Sequence, residues 1–164
     1  MNAILNKLKS FDDFLNLPYF DFVACLGFFS LHPGGIRRTK NLVHQLNIKP
    51  TDKILEIGSG VGATTVGLLR AGGDVTIVEP NQSLLETTVR NCKVFANKTP
   101  HTYAIGAEDL SDLVHETFDI VIMEAVFGFI QDKQKALNGI FSLLKPGGRI
   151  GITDWIFAGS LKNI

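Results

Sequence analysis

The apolar positions of this chain change their spacing near residue 50. After it, short apolar runs that end on glycine or acidic residues alternate with stretches in which apolar residues recur every three or four positions. The runs predict buried strands and the helical spacing predicts helices that cover them, as in repeated βα units with a parallel sheet. We predict strands at residues 53–58, 75–79, 102–105, 119–124 and 149–156, and helices at residues 62–71, 82–97, 108–114 and 132–144.

Local signals support these boundaries. Asn81 is suited to cap the start of the second predicted helix, and the pair Gly72 and Gly73 is suited to end the first. In the last predicted helix one apolar face is expected to lie against the sheet. This face consists of Ala136, Leu137, Ile140, Phe141 and Leu144. The segment 145–148, Lys-Pro-Gly-Gly, then predicts a break and a turn into the fifth strand.

The first 50 residues have a different pattern. They contain half of the twelve phenylalanines and no alternation long enough for a strand, so we expect short helices that cover the rest. One amphipathic helix is expected to bury Ile36, Thr39, Val43 and Leu46, with Arg37, Arg38 and Lys40 on its solvated face. We therefore predict a helical cap over residues 1–50 and a core over residues 51–164, within a single domain.

A glycine turn follows the first predicted strand. Gly58, Gly60 and Gly62 alternate with other residues, which predicts a sharp strand-to-helix turn whose backbone N–H groups face a ligand. The next strand ends on Glu79, about 20 residues after the turn, where a carboxylate can accept hydrogen bonds from two ribose hydroxyls. Together these features predict a cofactor that contains a nucleoside.

The glycine spacing distinguishes between cofactors. A dinucleotide fingerprint has its last glycine one residue later, where this chain has Ala63. The pattern from Glu56 to Gly62, with Glu79, resembles the first motif and the ribose-binding acid of class I S-adenosylmethionine-dependent methyltransferases. Three further segments agree in order and spacing, so the resemblance extends over residues 32–157. They are residues 106–110 (GAEDL), 118–125 (FDIVIMEA) and 144–150 (LKPGGRI).

The resemblance implies a fold and indicates which strands of it this chain lacks. The expected fold is an α/β, Rossmann-like doubly wound sheet, mostly parallel. The family has seven strands, and this chain ends at Ile164 before the last two are expected to form. We therefore expect an unpaired apolar edge on the fifth strand and self-association through it, or a fragment of a longer protein. That edge would carry Ile150, Ile152, Trp155, Ile156 and Phe157.

The resemblance also implies a cofactor site for S-adenosylmethionine. Glu56 is expected to fix the glycine loop or reach the cofactor's ammonium group through water, or else only to accept bonds from local backbone donors. This chain has Gly106 where the family commonly has aspartate. The Ala107 backbone, with Glu108 or Asp109, is then expected to contact the adenine. The two acids are equally suited to a structural role, in which they complement the dipole of the first turn of a helix. The expected cofactor-binding residues are Glu56, Gly58, Ser59, Gly60, Gly62, Glu79, Pro80, Ala107, Glu108 and Glu124.

Two residues are candidates for catalysis. Glu124 follows the fourth strand and is a general base, a residue that orients a substrate cation, or only a strand-end acid bonded to nearby backbone. His32 lies in the loop that the family closes over its cofactor, and is either catalytic or a turn histidine. Phe127 and Phe129 either stack on substrate or pack in the core, and Asp154 with Trp155 resembles a substrate-facing pair.

Composition limits the partners. Sixteen basic and sixteen acidic residues give a formal net charge of zero, which argues against nucleic acid and anionic membranes. No apolar segment is long enough for a bilayer, no signal core opens the chain, and the two cysteines have no metal-ligand spacing. We expect a cytoplasmic protein that binds no metal and methylates a small molecule. The alternatives are a non-catalytic binder of S-adenosylmethionine or S-adenosylhomocysteine and, more weakly, an NAD-dependent oxidoreductase.

Overall fold

The computed structural model describes residue 6, residues 8–27, residue 30 and residues 32–156. Five strands form one sheet: β1 Lys53–Ile57, β2 Asp74–Val78, β3 His101–Tyr103, β4 Phe118–Glu124 and β5 Leu144–Thr153. Their spatial order is β3-β2-β1-β4-β5, and every neighbouring pair is parallel. The chain winds outward from β1 to β3 and then returns to β4, so a crevice forms at the carboxyl ends of β1 and β4 where the direction reverses.

Helices connect the strands as predicted. The described helices are α1 Phe11–Leu15, α2 Tyr19–Leu26, α3 Gly35–Gln45, α4 Ala63–Arg70, α5 Gln82–Ala96, α6 Leu110–Leu113 and α7 Lys133–Leu143. Two 3₁₀ turns, Ala107–Asp109 and Phe127–Phe129, follow β3 and β4. The α/β Rossmann-like prediction is confirmed, with every strand parallel. Within the described residues, no helix has the length and apolar character needed to cross a membrane.

Alternate side chains of the central strands enter two separate cores. Leu55, Ile57 and Val121 pack with α6 and α7 on one face of the sheet. Ile54, Ile120 and Ile122 pack with α3, α4 and α5 on the other. Successive side chains of a strand point to opposite faces, so residues two apart share a face. Glu56 and Glu124 therefore lie on the face that α3 and α4 cover.

The last strand differs from its prediction. β5 begins at Leu144, the last residue of the predicted helix, runs through the segment predicted as a turn, and ends at Thr153, before the predicted end at residue 156. Its pairing with β4 shifts between Phe118 and Ile120, and Gly147 adopts a φ of 77°. The Pro-Gly-Gly segment therefore forms an irregularity within the strand, because β4 offers pairing partners on both sides of it.

One predicted helix face is partly wrong. Phe141 is 62% exposed, whereas Leu143, absent from the predicted face, is buried. The face of α7 that meets the sheet carries Ala136, Gly139, Ile140 and Leu143. Phe141 follows Ile140 by one residue and is therefore rotated by about 100° around the helix axis. Gly139 brings α7 close to α6, since a Cβ on it would lie 3.1 Å from Leu110 Cβ.

The N-terminal helices contact the core near the glycine turn. Val23 and Ala24 of α2 form a buried cluster with Val61 and Leu84. Thr39 of α3 is buried on the predicted face, whereas Ile36 is 42% exposed. The three basic residues of α3 are exposed as predicted. The division of the chain at residue 50 stays a prediction.

The outer edge of β5 has no partner strand within the described residues. Ile152, Trp155 and Ile156 are exposed there, at 44%, 71% and 86%, while Ile150 packs against the core. Phe157, which we placed on the same edge, lies outside the described residues, as do Phe28 and Phe29 of the aromatic N-terminal segment. Self-association through this edge stays a prediction.

Candidate functional site

A cavity of about 370 Å³ opens at the carboxyl ends of β1, β2 and β4. It gathers the candidate residues from five segments of the sequence. All of the predicted site residues except Gly62 line it: His32, Glu56, Gly58, Ser59, Gly60, Glu79, Pro80, Ala107, Glu108 and Glu124. The crevice predicted from the order of the strands is therefore the place where these side chains meet.

The glycines of the turn are required by packing as well as by conformation. Gly58, Gly60 and Gly62 have φ values of 75°, 55° and 90°. A Cβ on Gly58 would collide with the Val126 side chain, and one on Gly62 would lie 3.1 Å from Thr88 Cα. Gly62 therefore allows α4 to approach α5, and it contributes packing rather than a cavity wall. Its assignment as a cofactor-binding residue is not supported by this position.

The N–H groups of the three glycines are used inside the protein, so the expectation that backbone N–H groups of the turn face a ligand is not met at these three positions. Gly58 N–H donates to Val78 O at 2.7 Å, Gly62 N–H donates to Ser59 O at 2.9 Å, and Gly60 N–H donates to Glu79 Oε2 at 3.1 Å. Tight turns satisfy their own backbone donors when they can. The glycines instead leave the cavity floor free of side chains, so that a ligand can approach the backbone closely.

Glu79 fastens this turn to the next one. Its Oε2 accepts from Gly60 N–H at 3.1 Å, and its Oε1 accepts from Asn81 N–H at 3.0 Å. Burial raises the pKa of Glu79, and the two backbone donors offset part of that rise. Because each carboxylate oxygen has two lone pairs, each oxygen can accept one further bond from a ligand in the cavity.

Glu56 is the most deeply buried acid of the cavity. It is 3% exposed, and the neighbouring Thr65 offers it hydrogen bonds from its side chain and its backbone. Burial, with smaller contributions from the neighbouring Glu124 and Glu79 carboxyl groups, raises the pKa of Glu56 to about 8, although the bonds from Thr65 oppose that rise. A carboxyl group can accept about four hydrogen bonds. Thr65 therefore leaves capacity for a donor that a ligand supplies.

Hydroxyl groups from three elements surround Glu124. Its Oε2 accepts from Thr64 Oγ1 at 2.6 Å and from Thr39 Oγ1 at 3.0 Å. Its Oε1 accepts only from Thr153 Oγ1, at 3.4 Å. The side chain of Glu124 is 4% exposed. The partners are therefore side chains of α3, α4 and β5, and not the nearby backbone of the structural alternative.

His32 belongs to the same cluster. Its Nε2 lies 3.0 Å from Thr39 Oγ1 and 3.7 Å from Glu124 Oε2, and the side chain is 8% exposed. A hydroxyl carries one hydrogen, and Thr39 donates it to Glu124. His32 Nε2 must therefore carry a hydrogen and donate it to Thr39. This is a connected proton-bearing chain that ends on a carboxylate in the cavity.

Glu108 accepts hydrogen bonds from two consecutive backbone N–H groups. Its Oε1 accepts from Gln131 N–H at 2.9 Å and from Asp132 N–H at 3.4 Å, at the start of α7. Partial burial opposes ionisation, but backbone donors of Glu108, Gln131 and Asp132 together hold the pKa of Glu108 below its usual range. Asp109 instead forms an ion pair of 3.8 Å with Lys135. Of the two candidate acids, only Glu108 lines the cavity.

Aromatic side chains form the cavity mouth. Phe129 is 64% exposed and meets Phe20 of α2 edge to face, with 5.7 Å between ring centres. Phe127 instead packs against the core, so the two phenylalanines have different environments. Trp155 and Tyr19 also line the cavity. Asp154 accepts from Gly128 N–H at 3.1 Å and thereby holds the turn that carries Phe129.

Sequence reasoning missed several residues of this site. Thr64 directly follows the glycine turn, and Thr39 lies on the buried face of α3, but neither position has a recognisable motif. A hydroxyl on an apolar helix face is the available signal, since a buried threonine there needs a partner. Tyr19 and Phe20 lie far from the motifs in sequence. Only the packing of α2 against the core brings them to the cavity.

Comparison with known proteins agrees with the geometry. The family model described as a methyltransferase domain matches residues 55–150, more than half of the chain. A phosphoethanolamine N-methyltransferase of Triticum aestivum is 32% identical over 131 residues, which cover 74% of this chain and 24% of that protein. The ubiquinone/menaquinone biosynthesis C-methyltransferase UbiE of Vibrio parahaemolyticus is 29% identical over 133 residues, 76% of this chain and 50% of that one.

Solved structures share the fold. The crystal structure of MccD protein superposes with a TM-score of 0.71 at 20% identity, covering 82% of this chain and 59% of that one. The chain spans about a quarter of the length of the Triticum aestivum relative and about half of the length of the Vibrio parahaemolyticus relative. Residues 55–150, which match the family model, contain the glycine turn, Glu79, Glu108 and Glu124. The chain belongs to the class I S-adenosylmethionine-dependent methyltransferase family.

Proposed function

We propose that this chain binds S-adenosylmethionine in the cavity at the carboxyl edge of the sheet and transfers its methyl group to a small-molecule acceptor. The observation that carries the proposal is that the glycine turn, Glu79 and the buried carboxyl group of Glu56 line one cavity. A buried carboxyl group with accepting capacity left suits a ligand that brings its own donor. The ammonium group of the cofactor's amino-acid tail is such a donor.

The cofactor's other groups have matching residues. Glu79 has lone pairs left for the ribose hydroxyls, and the glycine turn leaves room for the tail beside the backbone. Ala107 and Glu108 line the same cavity as Glu79 and suit the adenine, and Ser59 and Pro80 also line it. S-adenosylmethionine supplies a methyl group that its sulfonium already activates. The protein's tasks are to bind, to orient and to exclude water.

Glu124 and His32 are proposed as the catalytic pair. Glu124 Oε1 accepts a proton from the acceptor, while Thr39 and Thr64 hold Oε2 in place and His32 donates to Thr39. Replacing Glu124 with glutamine keeps its size and removes the basic oxygen. We expect Glu124→Gln to spare affinity for S-adenosylhomocysteine and to lower turnover by about 100-fold or more. Lost affinity at unchanged turnover would reverse the roles given to Glu79 and Glu124.

Isothermal titration with S-adenosylmethionine, S-adenosylhomocysteine and NAD tests the proposal. We expect saturable one-to-one binding of the first two and none of NAD, because α4 begins at Ala63 where a dinucleotide site needs glycine. Release of S-adenosylhomocysteine from S-adenosylmethionine and a mixture of small metabolites then separates an enzyme from a binder. Preference for NAD would overturn the proposal.

A further inference from the structure

The two oxygens of Glu124 have unequal environments. Oε2 accepts two bonds, of 2.6 and 3.0 Å, and has His32 Nε2 at 3.7 Å. Oε1 accepts one bond of 3.4 Å, which is long for an O–H donor. A carboxylate can accept about four bonds. Oε1 is therefore the oxygen left to accept a donor from a molecule in the cavity.

The charge of this carboxyl group restricts the donor. Glu124 accepts hydrogens from three hydroxyls, which is the bonding pattern of an ionised carboxylate. A buried carboxylate is stabilised by a cation. Among the described residues that line the cavity, His32 is the only one with a basic side chain, beside carboxyl groups of Glu56, Glu79, Glu108 and Glu124. Glu56 and Glu79 are assigned to the cofactor, so Glu124 is the carboxyl group left for a cation that the acceptor brings.

The aromatic mouth restricts the rest of the ligand. Phe129, Trp155 and Tyr19 are 64%, 71% and 67% exposed, yet they line the same cavity as Glu124. Exposed aromatic groups around a cavity mark a binding surface for apolar bodies, and their faces attract cations. Edge-to-face contact between Phe20 and Phe129 connects α2 to this surface.

We propose that the methyl acceptor is an amine on an apolar or aromatic body, with its ammonium group on Glu124 Oε1 and its body between the mouth rings. This rests on the proposed function, whose acceptor it specifies. The amine becomes nucleophilic when its N–H bond breaks: the proton passes to Glu124 Oε1 and the electron pair stays on nitrogen. Thr39 and Thr64 are positioning residues, because they act through Glu124.

Titration calorimetry with three probes tests the proposal. 2-Phenylethylamine carries both expected features, 2-phenylethanol keeps the body but has no charge, and phosphoethanolamine keeps the amine but adds an anion. Each is titrated into the protein with and without saturating S-adenosylhomocysteine. We expect 2-phenylethylamine to bind at least 10-fold more tightly than either other probe. Equal affinities, a preference for phosphoethanolamine, or no binding of the amine would overturn the proposal.

Variants assign the preference to Glu124. Glu124→Gln should reduce the preference for amine over alcohol to less than 3-fold, while S-adenosylhomocysteine still binds. Glu116→Gln is the matched control: it removes the same charge before β4, away from the cavity, and should keep the preference. Thr64→Val should weaken amine binding by about 3- to 10-fold, and Thr64→Ser should restore it. An unchanged preference in Glu124→Gln would overturn the proposal.

The two proposals can fail separately. If S-adenosylhomocysteine does not bind, the proposed function fails, and the titrations without it still measure whether Glu124 selects an amine. If S-adenosylhomocysteine binds but the amine is not preferred, the assignment of the acceptor alone is overturned.

Discussion

The two edges of the sheet use acidic residues in opposite ways. At the amino edge, Asp52 pairs with Arg149 and Asp119 pairs with Lys145, each at 2.8 Å. At the carboxyl edge, Glu56 and Glu79 are buried without a lysine or arginine partner among the described residues. The bond from Lys145, with one from Lys53 N–H, holds the pKa of Asp119 below its usual range, whereas burial raises the pKa of Glu56 to about 8.

This difference separates structural acids from functional ones. A paired acid at the amino edge contributes to folding directly, because its partner is part of the same chain. An acid buried at the carboxyl edge without a cationic partner destabilises the free protein, and a ligand that brings a cation reduces that cost. The edge that costs stability in the absence of a ligand is therefore the one that we assign to binding, and each edge can be tested separately.

The largest expected effect comes from the glycine turn. Gly60 has a φ of 55°, which a β-branched residue adopts only with strain, and a side chain there would enter the space proposed for the cofactor's tail. Gly60→Val should abolish S-adenosylhomocysteine binding in calorimetry. Gly67→Ala is the control, because Gly67 lies in α4 with nothing near its missing Cβ, and it should leave binding intact. Retained binding by a folded Gly60→Val would contradict the cofactor site.

The second prediction concerns pH. Glu56 keeps its proton to about pH 8 in the folded state, against an ordinary value of 4.5. Between these limits the folded chain binds more protons than the unfolded chain, so the contribution of Glu56 to stability is present below pH 4.5 and is lost as pH rises towards 8. The wild-type free energy of unfolding should fall by roughly 3 to 5 kcal/mol over this range because of Glu56, and this fall should be absent in Glu56→Gln.

Urea unfolding of wild type and Glu56→Gln at pH 5 and pH 8.5 measures this prediction. The difference in free energy of unfolding between the two proteins should change in favour of the variant at the higher pH. Glu116→Gln, which replaces a partly exposed acid, should follow the wild type. If the Glu56→Gln and wild-type values stayed parallel across this range, the raised pKa would be wrong.

The third prediction concerns the ribose acid. Glu79→Ala should weaken binding of S-adenosylhomocysteine by about 1.5 to 3 kcal/mol, because two bonds to a charged acceptor are lost. The anchor for Gly60 N–H is lost with them. Calorimetry measures the affinity, and circular dichroism is expected to show an intact fold. An unchanged dissociation constant would remove Glu79 from the site.

The smallest effect is expected at the amino edge. Arg149 donates to Leu46 O, to Asn47 O at 3.1 Å and to Asp52 Oδ2, and so holds the end of α3 against β5. Arg149→Met should lower the free energy of unfolding by about 1 to 2 kcal/mol, since the guanidinium is partly exposed, and should leave S-adenosylhomocysteine affinity unchanged. Lys135→Met, which breaks only exposed ion pairs, should cost less than about 0.5 kcal/mol.

Regular elements were predictable from the sequence, and irregular ones were not. The apolar runs predicted as strands at residues 53–58 and 119–124 are β1 and β4. Their apolar residues and the residues that end each run both indicate a buried strand. β5 was misjudged because Pro146 and the glycines after it indicate a turn, while the tertiary pairing with β4 extends the strand through them. The prediction for Phe141 is wrong because the apolar pattern does not show which of two adjacent apolar residues, Ile140 or Phe141, faces the sheet.

The site was predictable where residue type and spacing define the chemistry. Glu56, Glu79 and Glu124 each lie within one residue of the carboxyl end of a strand, and the parallel sheet places strand ends together. The partners of Glu124 could not be predicted, because Thr39 and Thr64 reach it only through the packing of α3 and α4. The sequence predicts that backbone N–H groups of the turn face a ligand, whereas the protein pairs those of the three glycines internally. Sequence spacing indicates where a turn lies and does not indicate which of its donors remain free.

Amide chemical shifts of the ¹⁵N-labelled protein, titrated with S-adenosylhomocysteine, show which edge of the sheet binds the cofactor. We expect saturable shifts at the carboxyl edge, in Gly58, Gly60 and Ala107, with the amides of Lys53 and Arg149 at the amino edge unmoved. Absence of saturable shifts, or shifts centred on the amino edge, would contradict the assignment of the carboxyl edge to S-adenosylmethionine.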